Sequence, residues 1–240
     1  MDDVDRNESL GAYLAPSPGV ECEDGGIRAL AGEITRGKRS PREKAAALFL
    51  FARDQVRYVP YAPFEFIEDY LGPAVLERGY GFCTQKTSLL VGLCRAAGIP
   101  ARFRYADLVN HNMPGRLEWV MQSNRMIFHT YAELHLEGGW IKATPSFERS
   151  LCEKMGWRLV EFDGSADAVL PATDLRGRPH IGYVLDRGSE AGIPLQRMLD
   201  AWLEGYGEEA MGRWKAARSA FLAGREPGNG TSGNGGAGRS

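Results

Sequence analysis

The chain has 240 residues, a formal charge of −2 at pH 7, and 43% hydrophobic and 25% charged residues. That balance fits a globular protein and gives no general attraction to nucleic acid or to an anionic membrane, so neither is an expected partner. Four cysteines, at 22, 83, 94 and 152, form no CxxC pair, which argues against structural zinc and against a disulfide framework and leaves free thiols.

The opening "MDDVDRNESL" is acidic and polar. It lacks the basic flank and apolar core of a secretory leader, and no stretch approaches the roughly 18 apolar residues of a membrane span. A cytoplasmic protein is therefore expected. Residues 24–36 place Ile27, Leu30, Ala31 and Ile34 at helical spacing. "KRSPREKAAALFLFARDQVRY" predicts a stronger helix, with Ser40 as N-cap, Pro41 as first residue and Glu43 closing a capping box. "VPYAPFEFIEDYLGP" is aromatic and broken by proline, and reads as an ordered loop with a short helical piece.

Next comes "GYGFCTQKTSLL", residues 79–90. Leu89, Leu90, Leu93, Cys94 and Ala97 form one buried face of a helix that begins at or beside Cys83. Gly98 and Pro100 end it. "ARFRYAD" predicts a strand, and residues 107–125 a long surface loop. "MIFHTYAELHLEGGWIKATP" predicts a hairpin turning at Glu137, Gly138 and Gly139. Residues 150–193 carry turn signals and little period. Amphipathic helices follow over 195–206 and 208–222, and the Gly-rich tail 224–240 is expected to be disordered.

A thiol attacks as thiolate, and its ordinary pKa is about 8.5. A helix N-terminus offers unpaired N–H groups and about half a positive charge, which favours the anion at Cys83. Cys94, mid-helix on the apolar face, shows the contrasting case of a thiol used for packing. A nucleophilic cysteine needs a base, and His129 sits at the start of the hairpin's first strand. His129, Tyr131, Glu133 and His135 share one face there. With a two-residue Glu137-Gly138 loop, Leu136 pairs with Gly139, and Thr144 falls opposite Tyr131, diagonal to His129. A three-residue loop would turn Thr144 to the other face. His129 and His135 lie too far apart along a strand to share a metal ion, and no cofactor is expected. Glu133 suits a structural ion pair, Trp140 the core and His111 an exposed loop.

These residues together resemble the transglutaminase-like superfamily. The resemblance runs from Gly79-Tyr80-Gly81-Phe82-Cys83, through "LLVGLCRAAGIPARFRY", to His129-Thr130-Tyr131-Ala132-Glu133 and "GGWIKATP". "LFLFARDQVRYVPY" resembles the helix that precedes this core in bacterial members. The similarity covers roughly residues 40–147. It implies an α+β, papain-like fold in which a central helix carrying the cysteine packs on a small antiparallel sheet. It also implies a Cys-His-Asp arrangement with Cys83 as nucleophile and His129 as base. Where the family has aspartate before proline, this chain has Thr144, which can accept a hydrogen bond but brings no charge. The backbone N–H of Cys83 is one natural oxyanion donor, and Gln85, Tyr61 and Tyr58 are candidates for a second.

The expected organisation is a single domain over 1–223, with residues from about 150 to 223 as an accessory helical extension. The expected function is cysteine-dependent acyl chemistry on a protein, peptide or small amide substrate, ending in hydrolysis or in transfer to an amine. The alternative is a binding module that kept the scaffold and lost the chemistry.

Overall fold

Ser40 takes a hydrogen bond from the Glu43 N–H, and the Glu43 carboxylate takes those of Arg39 and Ser40. Helix α2 (Pro41–Asp54) therefore starts where the capping box predicts. The structure is a computed structural model that describes residues 10–225. The tail from residue 226, whose disorder the sequence predicts, lies outside the described residues, as does the acidic start. Before α2, helix α1 (Gly25–Ile34) is capped by the Asp24 carboxylate on the Ile27 N–H.

Two short strands, β1 (Arg57–Tyr58) and β2 (Tyr80–Gly81), pair in parallel. They fix Tyr58 beside the residues that lead into the next helix. Helix α3 (Gly72–Arg78) between them ends on Gly79, whose φ of 68° is left-handed, as a helix C-terminus requires. Gly81 has a different reason. A Cβ there would meet Gln85 Cβ at 2.9 Å, and the Gln85 side chain is needed in place because its Oε1 accepts the Phe82 N–H.

Helix α4 (Cys83–Ala96) is buried from Cys83 to Arg95, and not along one face only. Helices α1, α2 and α3 pack on one side of it and the sheet on the other. Its polar side chains are consumed by contacts to neighbouring chain. Thr84 Oγ1 meets Thr130 Oγ1 at 2.8 Å, and Thr87 donates to the Thr130 carbonyl. Arg95 donates to the Ala101, Ala15 and Ala191 carbonyls.

Among the described residues the main sheet is antiparallel, in the order β5-β4-β3-β6. Its strands are β3 (Ala101–Asn110), β4 (Arg125–Leu136), β5 (Gly139–Ala143) and β6 (Ile181–Glu190). Leu136 pairs with Gly139 across a Glu137-Gly138 loop with φ of 51° and 88°. This is a two-residue hairpin with both central residues left-handed. The fold is α+β, with the cysteine-bearing helix laid on a small antiparallel sheet.

Two segments depart from the expectation. The loop read over 107–125 is shorter: β3 continues to Asn110, and helix α5 (Gly115–Met121) follows. The extension expected over about 150–223 is not helical throughout. Helix α6 (Arg149–Met155) is followed by β6, which pairs with β3 from Phe103 to Asn110. Its alternation is broken by two register shifts and its middle is exposed, so a period of two is not visible in sequence. Last, α7 (Leu195–Leu222) consists of the two predicted helical runs, broken at Gly207 (φ 79°, ψ 164°).

Candidate active site

Cys83 is the first residue of α4 and is 7% exposed. Burial pushes its thiol above the ordinary value. The backbone N–H groups of Thr130, Thr84 and Cys83 itself oppose that push. The helix N-terminus thus supplies the donors that the sequence predicts, and β4 adds one more. All four cysteines are free and buried. Cys94 also has its thiol pushed up by burial, with only the Arg95 charge opposing it. The environments of the two cysteines on this one helix differ by the ring of backbone donors around Cys83.

His129 lies on β4, 1% exposed, paired in register with Ala106. Both its ring nitrogens are buried without a hydrogen-bond partner, and burial lowers its pKa to about 3. Cys83 and His129 line the same cavity, of about 40 Å³. No hydrogen bond joins the imidazole to the thiol, and burial favours the neutral form of each.

The approach to His129 is irregular for a reason. Between the pairs Ala106–His129 and Leu108–Met126, β4 carries one residue more than β3. Such a bulge re-aims neighbouring side chains. Phe128 takes up the misfit with a φ of 57°, a left-handed conformation that costs a bulky residue on the order of 1–3 kcal/mol. The Asp107 carboxylate holds it there by accepting the Phe128 N–H at 3.0 Å while pairing with Arg187 at 2.6 and 2.8 Å. Burial alone would raise the Asp107 pKa, but the Arg187 pair brings it below the ordinary value. Nothing in the sequence marks Asp107, a lone aspartate where a strand passes into an apparent loop.

The bulge also frees backbone groups of Ile127, and α7 takes them. The Tyr206 hydroxyl accepts the Ile127 N–H at 2.6 Å, and Trp202 Nε1 donates to the Ile127 carbonyl at 2.8 Å. Trp214 Nε1 donates to the Pro60 carbonyl at 2.6 Å. These three aromatic side chains, with Leu117 and Met121 of α5, roof the cavity over Cys83 and His129.

Thr144 follows the last residue of β5 and is fully buried, with its hydroxyl beside the Tyr183 phenol. The hairpin has the register that carries position 144 to the place opposite Tyr131. The structure brings Cys83 and His129 to one cavity and leaves Thr144 outside its lining. Of the three candidates for a second oxyanion donor, Gln85 is engaged elsewhere: its Nε2 donates to the Pro63 and Asp69 carbonyls. Tyr58 lines the cavity with Cys83. Burial, and after it the Cys83 thiol, hold the Tyr58 phenol well above its ordinary pKa and so in its neutral, donating form. Tyr61 lines an adjoining cavity. Glu133 pairs with Arg102 and Arg104, the structural role expected of it. Among the described residues no group of three or more His, Cys, Asp or Glu is placed to hold a metal ion, and no helix is long and apolar enough to cross a membrane.

Residues 28–145 match the model of the transglutaminase-like superfamily core. No curated protein matches the chain. Among solved structures, the chain is similar to one provisionally described as a cysteine protease from Cytophaga hutchinsonii, at 16% identity and a TM-score of 0.47, over 79% of this chain and 57% of that one. It is similar to one provisionally described as a protease from Parabacteroides distasonis, at 18% identity and a TM-score of 0.37, over 57% of this chain and 25% of that one. It is also similar to the periplasmic domain of TgpA from Pseudomonas aeruginosa, at 23% identity and a TM-score of 0.40, over 57% and 46%. This chain spans less than two thirds of each of those chains.

Proposed function

We propose that this chain, whose residues 28–145 match the transglutaminase-like superfamily core, performs cysteine-dependent acyl chemistry on an amide. The observation that carries the reading is one cavity lined by a cysteine at a helix N-terminus and by a histidine from the adjacent strand. The Cys83 sulfur attacks the amide carbonyl while its proton passes to His129. His129 then delivers that proton to the nitrogen as the C–N bond breaks, leaving a Cys83 thioester and a free amine. Attack by water gives the acid, and attack by an amine gives a new amide. The backbone N–H of Cys83 and the Tyr58 phenol are the proposed donors to the oxyanion. Release of amine from a library of glutamine-containing peptides and small amides tests this reading. Release that requires Cys83 supports it, and a library untouched by the protein speaks against it.

A second reading, a binding module on the same scaffold, draws on Thr144. Losing the acid's charge from a serine protease triad costs about 10⁴ in rate, and a cysteine nucleophile, being more acidic, suffers less. If Thr144 occupies the orienting position, Thr144→Asp supplies the missing charge, and Cys83 acylation should accelerate tenfold or more. An unchanged rate in a folded variant places Thr144 away from the imidazole.

The cavity's size adds a condition. A water needs about 10–15 Å³, whereas ligand pockets usually span about 300–1,000 Å³. The 40 Å³ beneath α7 falls below that range, so the aromatic side chains over it are expected to move when an amide enters. Trp214→Ala removes the bond to Pro60 and the stack on Trp202. Iodoacetamide labelling of Cys83 should then rise tenfold or more while Cys94 stays unlabelled. Equal Cys83 rates in the variant and the parent protein would show that the roof does not control access.

A further inference from the structure

Beside the cavity that holds Cys83 and His129 lies a second one of about 200 Å³, whose exposed lining is largely apolar. Tyr58, Pro60, Leu117 and Met126 line both, so the two cavities share a wall. A row of aromatic rings runs from the first cavity into the second. Tyr58 meets Phe147 edge-on at 4.9 Å, and Phe147 meets Trp157 at 4.9 Å. Leu151 of α6 closes the far side. Trp157 is nearly fully buried, yet its indole N–H has no acceptor. A buried donor left unmet costs on the order of 1–3 kcal/mol, and here it belongs to a side chain that lines an empty space.

We propose that the second cavity is the specificity subsite of the acyl site. It takes an aromatic or branched aliphatic side chain on the acyl portion of the amide, next to the scissile carbonyl, packed against the rings of Phe147 and Trp157. This rests on the acyl reading of Cys83, whose own cavity is too small to select a side chain. Among the described residues of the lining none is ionised: the polar ones are the Tyr58 and Tyr61 phenols, the Trp157 indole and the Asn110 amide. In an apolar site a difference of a methylene changes kcat/KM about 10–200-fold, so discrimination by size and polarity is expected to be steep.

The test uses the N-acetyl amides of Gly, Leu, Phe, Asp and Lys, with turnover by the full chain and binding to the Cys83→Ala protein measured in parallel. Leu and Phe amides should exceed Gly, Asp and Lys amides at least tenfold in both measurements. Leu151→Trp, which fills the cavity, should cut that preference at least tenfold, and Leu151→Ala, which enlarges it, should shift preference toward Phe over Leu. Turnover without side-chain preference, or with preference for a charge, overturns the subsite and leaves the acyl reading standing. Selective binding of Phe amide, weakened by Leu151→Trp but without turnover in the full chain, keeps the subsite and overturns the acyl reading. Binding of none of the five amides overturns the subsite.

Discussion

Replacing Cys83 by alanine should abolish amine release, with kcat falling roughly 10⁴-fold or more, as expected when the nucleophile of a covalent mechanism is removed. His129→Ala should fall nearly as far, and the double variant little further, because the two act as one unit. The resting state gives this test its discriminating power. Burial holds the thiol protonated and the imidazole neutral, so neither residue shows an activated signature on its own. Reactivity has to arise when a substrate enters and places a carbonyl between the sulfur and the N–H groups around it. Cys94→Ala is the control. Its thiol is a packing group in the same helix, so the variant should lose about 1 kcal/mol or more of stability and keep kcat. Residual turnover in Cys83→Ala near the parental level would remove the thioester from the mechanism.

The largest stability effect is expected one turn further along the same helix. Lys86 is fully buried, with Nζ donating to the Arg53 and Val56 carbonyls and lying 3.8 Å from Glu148 Oε2. Glu148 in turn accepts the Tyr58 N–H at 2.9 Å, so the ammonium anchors the end of α2 and the backbone of a cavity residue together. Lys86→Met keeps the length of the side chain but strands two buried carbonyls and a carboxylate. The loss should be about 3 kcal/mol, a fall in Tm on the order of 10 °C. The same residue leaves a pH signature. Burial lowers its pKa from 10.5 to about 8, against the pull of Glu148. Between those values the unfolded chain holds the proton that the folded chain has released, so this residue's contribution to stability rises with pH. The neutral amine still has donors for both carbonyls. Measured as a difference, the advantage of the parent over Lys86→Met should therefore widen from pH 8 to pH 10. An advantage that shrinks over that range, or a variant as stable as the parent, contradicts this account of Lys86.

Local chemistry explains which parts of this architecture can be read from the sequence. Ser40 and Glu43 cap α2 through bonds three residues apart, Gly98 ends α4 through its own left-handed φ, and the Glu137-Gly138 turn sets the hairpin register by itself. Each signal is complete within a few residues. The same holds for Cys83, whose place at a helix start follows from the pattern around it. What the sequence hides depends on distant partners. Strand β6 exists because β3 has a free edge, and its exposed Val184 and Leu185 alternate with nothing. Asp107 matters because a bulge 20 residues later needs an acceptor for the Phe128 N–H. Trp202, Tyr206 and Trp214 read as the apolar stripe of an amphipathic helix, and only the fold shows that this stripe lies over the candidate catalytic pair. Lys86 carries no local signal of burial and is among the most buried side chains.

The acyl mechanism requires a thioester at Cys83. Intact-mass spectrometry of the protein quenched in acid during turnover of a reactive amide or ester, followed by peptide mapping, measures it directly. The predicted result is one added acyl group per chain, mapped to Cys83, absent from Cys83→Ala and accumulating in His129→Ala only at a strongly reduced rate. An acyl group found on Cys22, Cys94 or Cys152 in place of Cys83, or turnover that proceeds with the thiol of Cys83 blocked, would contradict it.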